Sequence, residues 1–198
     1  MRAATIARRC LLTGLAACFP LGAQNLTPRL VNDHLRVAAP QPKFLAGQVL
    51  ERLHNGAPVA LVLQLSLSTD GTTSVWGRDI ARFVLSYDLW EEKFAITRLG
   101  RPPGAVSHLT AEVAQAWCVE ALAIPVAGLG ADKPFWLKLE VHTEDAKEAA
   151  GLETEGGVSL ARLVELFSRR ARGRQERWTA QAGPLRLADL RKSSGRAR

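Results

Sequence analysis

Leu61, Leu63, Leu65 and Leu67 alternate with Val62, Gln64, Ser66 and Ser68. A period of two sends successive side chains to opposite faces of an extended chain, so residues 59–69 are predicted to form a strand. The same alternation returns in Phe83, Leu85, Tyr87 and Leu89, opposite Arg82, Ser86 and Asp88, and predicts a second strand over 80–90 after a turn at Asp70-Gly71. The polar step Glu91-Glu92 leads straight into Phe94 and Ile96, which makes a hairpin ending near Leu99. Phe135, Leu137, Leu139 and Val141, opposite Trp136, Lys138, Glu140 and His142, predict a further half-buried strand over 135–143.

Helical spacing governs other stretches. Leu45, Val49, Leu50 and Leu53 share one stripe within 44–54, and Asn55-Gly56 supplies the left-handed residue that ends helices. Thr110 can cap a helix from 111 to about 124, with Val113, Trp117, Ala121 and Ile124 as its apolar face and Pro125, Gly128 and Gly130 closing it. Leu160, Leu163, Val164 and Phe167 predict a third helix over 159–169, with Arg169 and Arg170 at the negative end of its dipole. Residues 27–42, bounded by prolines, read as an edge strand or extended lead-in, and Gly100 to Gly104 as a firm break. The acidic stretch 144–157 reads as a loop. Trp178, Leu185, Leu187 and Leu190 suggest a last strand or docked segment, and the basic end, 191–198, a disordered tail with little to bury. Alternating strands with short links predict an α+β fold, an antiparallel sheet with two or three helices packed on it; the alternative is a helix-decorated β-sandwich.

A hydrophobic fraction of 47% over 198 residues is enough for one packed core, which places a single mixed α/β domain at 24–190. The first residues follow another logic. Arg2, Arg8 and Arg9 precede an uncharged apolar run from Cys10 to Ala23 that is too short to span a bilayer, the pattern of a secretory signal over 1–23. Two processing routes fit: cleavage after Ala23, or lipid attachment at Cys18, since Leu15-Ala16-Ala17-Cys18 resembles the bacterial lipobox. Export to the periplasm or medium follows from the first, an outer-membrane lipoprotein from the second. Cleavage after Ala23 leaves Cys118 as the one thiol, so no intrachain disulfide is expected despite export.

Charge is unevenly spread. Of the total +7, the signal carries +3 and residues 169–198, with ten basic and two acidic side chains, carry +8, which leaves the stretch between them at −4. A basic end of this kind is either solvated or touches an anionic surface.

The order HNGAPVALVLQLSLS, RFVLSYDLWEEKFAITRL, a helix and FWLKLEVHTE, spanning Leu45 to Val141, resembles an uncharacterised family of exported bacterial proteins known as a domain of unknown function. The resemblance implies an exported domain. It carries over no catalytic residue.

Candidate chemistry is sparse. Trp90 and Trp136 fall on strand faces otherwise bearing polar residues, where aromatic rings either bind a partner or are covered by a helix. With the basic residues Arg169, Arg170, Arg172, Arg174 and Arg177 they form the expected contact surface for an envelope protein or an anionic polymer. Export argues against nucleic acid. Glu140, His142 and Glu144 alternate on one strand face and are the weak candidates for a metal or for an envelope hydrolase, against the simpler reading of a polar strand edge beside Lys138. Cys118 falls mid-helix beside Trp117, where a thiol is usually an inert core residue, so a pair with His108 is disfavoured. Gly128-Leu129-Gly130 lacks the third glycine and the strand that a phosphate cradle needs. No cofactor is expected, and the leading reading is a non-enzymatic binding domain.

Overall fold

A computed structural model describes residues 26–70, 74–144 and 177–195. The fold is α+β, built on antiparallel sheets. Strands β3 (Val59–Asp70), β4 (Ser74–Asp88), β5 (Lys93–Leu99), β6 (Gly104–Leu109), β8 (Phe135–Glu144) and β9 (Arg177–Leu185) make a six-stranded sheet in the order β6-β5-β4-β3-β8-β9. A smaller sheet joins β1 (Thr27–Val31), β2 (His34–Ala38) and the two-residue β7 (Ile124–Pro125). Among the described residues there are three helices: α1 (Gly47–His54), α2 (Ala111–Glu120) and α3 (Leu187–Gly195).

One face of the large sheet is the core. Leu61, Leu63, Leu65 and Leu67 of β3 are flanked by Phe83 and Leu85 of β4 and by Leu137, Leu139 and Val141 of β8, all essentially inaccessible. Leu35 and Val37 of β2, Val49 and Leu53 of α1, and Cys118 and Val119 of α2 belong to the same buried cluster. The small sheet and the helices thus cover the leucine face, as the period-two pattern requires of a sheet with one apolar side. The opposite face is polar, carrying Gln64, Ser66, Arg82, Lys138, Glu140 and Thr179. Ala60 and Val62 on that side are buried too, flanked in register by Glu144 and by Arg82 and His142.

Two close approaches lock the small sheet down. A Cβ on Gly77 would stand 3.1 Å from Cγ2 of Ile124, so the absent side chain gives β7 its room. Next to it, the Ala123 N–H donates to Asp79 Oδ2 at 2.8 Å, which satisfies a backbone group that β7 leaves behind. Gln115, buried on α2, donates to the Ala111 carbonyl and accepts from the Leu45 N–H at 3.1 Å, tying α2 to the chain ahead of α1. The C-terminal end of α2 is met by cations: Arg29 pairs with the Glu120 carboxylate and Arg36 donates to the Glu120 carbonyl, both at 2.9 Å.

Several expectations need correction. Of the two readings of 27–42 the edge strand holds, since β1 is the outer strand of the small sheet, but it pairs with β2 in a hairpin over 27–38: Asn32 and Asp33 take positive φ of 47° and 56°, the two-residue turn whose twist suits paired strands. The second strand begins at Ser74 and stops at Asp88, so Trp90 lies beyond it. Strands β6 and β7 went unread because the one follows a Pro-Gly break and the other is too short to show a period. Thr110 does cap α2, its Oγ1 accepting from the Val113 N–H at 3.4 Å, but the helix ends at Glu120 and buries Ala114, Gln115, Cys118 and Val119. Val113, assigned to the apolar face, is 52% exposed. Small side chains at Ala114 and Cys118 let the helix approach the sheet, while Trp117 fills the flank with its ring 5.8 Å from that of Phe83. The basic end is helical as far as Gly195 because Leu187 is fully buried and Leu190 packs against the core, anchoring α3. The predicted helix over 159–169 lies outside the described residues, as do Cys18 and Ala23.

Candidate functional site

A cleft of about 590 Å³ lies at the corner where β8 and β9 meet the start of α1. Its floor continues the core outward through Phe44, Val49, Leu61, Val141 and Trp178, and Lys43, His142 and Arg177 stand around it. The register explains the grouping: Arg177 and Trp178 at the start of β9 lie opposite His142 and Val141 of β8. The segment before α1 then lays Phe44 edge-on against Trp178, ring centres 5.9 Å apart. Trp178 Nε1 is buried and has no hydrogen-bond partner among the described residues, a state that costs about 1–3 kcal/mol unless something accepts from it. Ala46, which opens α1, has no side chain with which to cap it, and no carboxylate belongs to the described lining. The cleft is therefore apolar in its body and biased toward hydrogen-bond donors.

A second feature stands on the β4–β5 turn. Trp90 is 95% exposed, with Leu89 beside it 56% exposed. The turn that carries them is pinned, since Asp88 Oδ1 accepts from the Trp90 N–H at 2.8 Å and the Glu91 N–H at 3.1 Å. Glu91 in turn meets His108 of β6 at 3.0 Å. The bonds from Glu91 and Trp90 hold the Asp88 carboxyl below its ordinary value of 3.8. Their stabilisation of the turn is complete above that ordinary value and is lost as pH falls through the lowered one.

The predicted site residues are thus dispersed. Trp136, half-buried, lies level with Val75 through their shared partner Ser68, thirteen residues along β4 from Asp88, or roughly 40 Å at ~3.3 Å per residue. Trp90 and Trp136 do not share one face. The ring of Trp136 lies over Gly183 of β9, where a Cβ would come within 2.6 Å of it. Arg177 reaches the cleft, while Arg169, Arg170, Arg172 and Arg174 lie outside the described residues.

Glu140, His142 and Glu144 do project to one side of β8, yet they do not converge on a shared point. Lys138 Nζ holds Glu140 Oε1 at 3.1 Å, and Arg82 Nε stands 3.5 Å from Glu144 Oε2, a charge pairing without a hydrogen bond. Among the described residues no group of three side chains is arranged to hold a metal. Cys118 is fully buried, and desolvation pushes its thiol far above the ordinary range, which removes the thiolate that nucleophilic chemistry needs. His108, its notional partner, is engaged with Glu91 instead.

Sequence reasoning missed the cleft. Its floor and rim come from 43–49, from Leu61 and from 141–143 with 177–178; His142, Arg177 and Trp178 were singled out in the sequence for other reasons, and nothing there joined them to Lys43 and Phe44. No helix among the described residues is long and apolar enough to cross a membrane. No family model matches the chain, and no curated protein or solved structure is significantly similar to it.

Proposed function

We propose that this chain is an exported, non-enzymatic envelope domain that binds a protein partner through the Leu89-Trp90 tip. The exposure of Trp90 carries the reading. A tryptophan has more apolar surface to hide than most side chains and supplies a large share of binding energy where it is hidden by a partner, so holding one 95% exposed on a pinned turn is a cost that contact recovers. Asp88, Glu91 and Glu92 surround the tip, which favours a partner with an apolar pocket bordered by basic groups over an anionic polymer. The N-terminal pattern of basic residues, short apolar run and small-residue exit supports an envelope address.

The test is site-specific photocrosslinking in a bacterial host, with a photoreactive residue at position 90, at the exposed polar-face position 181, or at position 90 in the Asp88→Ala chain. A discrete adduct from position 90, absent at 181 and weakened several-fold when the turn is unpinned, is the expected result. It should arise on mature protein whose intact mass begins at Gln24, or at Cys18 with added lipid. Equal labelling from both positions, or an unprocessed chain that stays in the cytoplasm, overturns the reading.

A further inference from the structure

We infer that the corner cleft is a second binding site, independent of the Trp90 tip, and that it takes a small amphipathic carboxylate: an apolar chain or ring system ending in an anionic head. Its volume of about 590 Å³ falls in the range of pockets that enclose small molecules. The floor decides the body of the ligand. Phe44, Val49, Leu61, Val141 and the Trp178 ring offer apolar surface continuous with the core, so a hydrocarbon body is buried there without exposing polar groups.

Two observations decide the head. Lys43 and Arg177 line the cleft, and the neighbouring carboxylates of the same strand face, Glu140 and Glu144, are engaged by Lys138 and Arg82 rather than by them. No acidic side chain belongs to the described lining. A carboxylate answers both, because it accepts from the Arg177 guanidinium while its charge is matched by Lys43. A neutral alcohol of the same length fills the floor but forms weaker hydrogen bonds, and an alkylammonium sets its charge against Lys43 and Arg177.

Isothermal titration of the purified full-length protein with decanoate, 1-decanol and decyltrimethylammonium tests this directly. Decanoate should bind at least roughly tenfold more tightly than decanol, and the ammonium should not bind measurably. Arg177→Gln, at an exposed position on β9, removes the guanidinium, so it should weaken decanoate several-fold and leave decanol unchanged. Lys43→Gln, at an exposed position where folding is not at stake, should weaken decanoate and reduce the salt dependence of its binding. Equal affinity for decanoate and decanol, no binding of decanoate, or indifference to both substitutions overturns the inference. None of these outcomes bears on crosslinking at position 90, so the two sites stand or fall separately.

Discussion

Phe83→Ala is expected to destabilise the domain by about 3–5 kcal/mol and to lower its Tm by roughly 6–20 °C. Phe83 is fully inaccessible on β4, in register with Leu61 of the central strand, and its ring meets Trp117 of α2 edge-on at 5.8 Å and 70°. The ring therefore belongs to sheet and helix layers together. Alanine removes the apolar transfer energy of the side chain and leaves a void that two strands and a helix can close only partly. Urea and thermal unfolding of the purified protein measure it. A loss below about 1 kcal/mol would show that the layers collapse freely over the gap, and that the packing between α2 and the sheet is looser than these contacts imply.

Gly183→Ala should cost about 3 kcal/mol for a different reason. Gly183 has φ of 145°, a backbone conformation that L side chains rarely adopt. Its Cβ would also stand 2.6 Å from Cδ1 and 3.0 Å from Cα of Trp136. Strain and overlap act together at the point where β9 bulges against β8 between the Phe135–Leu185 and Leu137–Ala182 pairs. Trp136→Ala in the same chain removes the ring contacts but neither the strained φ nor the approach to the Trp136 backbone, so the double variant should recover only part of the loss. Full recovery would place the whole effect in the ring. No recovery would place it in the backbone, and the double-mutant cycle separates the two.

These two positions mark the difference between patterns that repeat and contacts that do not. Gly183 sits beside a proline in a strand that was legible only as an apolar segment, and nothing adjacent to it in the chain announces that Trp136, 47 positions earlier, lies across it. The candidate surface suffered from the same blindness. Trp90 was assigned to a strand face because Phe83, Leu85, Tyr87 and Leu89 keep a period of two, and periodicity does not say where a ladder stops. It stops at Asp88, whose carboxylate turns back on the next two amides, so Trp90 leaves the sheet and stands in solvent. Asp88 two residues before Trp90 was the available signal, since aspartate at the head of a turn bonds its own backbone this way.

Sequence by itself determined the strands whose leucines and valines alternate, the antiparallel α+β class, the Thr110 cap and the inertness of Cys118, because each follows from a period, a single residue type or a neighbour in the chain. Only the tertiary structure decided the phase of α2, the pairing of β7 with β2, the exposure of Trp90 and the existence of the corner cleft. Helix phase depends on which flank a partner leaves open. The cleft depends on Lys43 and Arg177 arriving together from 134 positions apart, and that meeting is set by strand order and register, which local propensity does not encode.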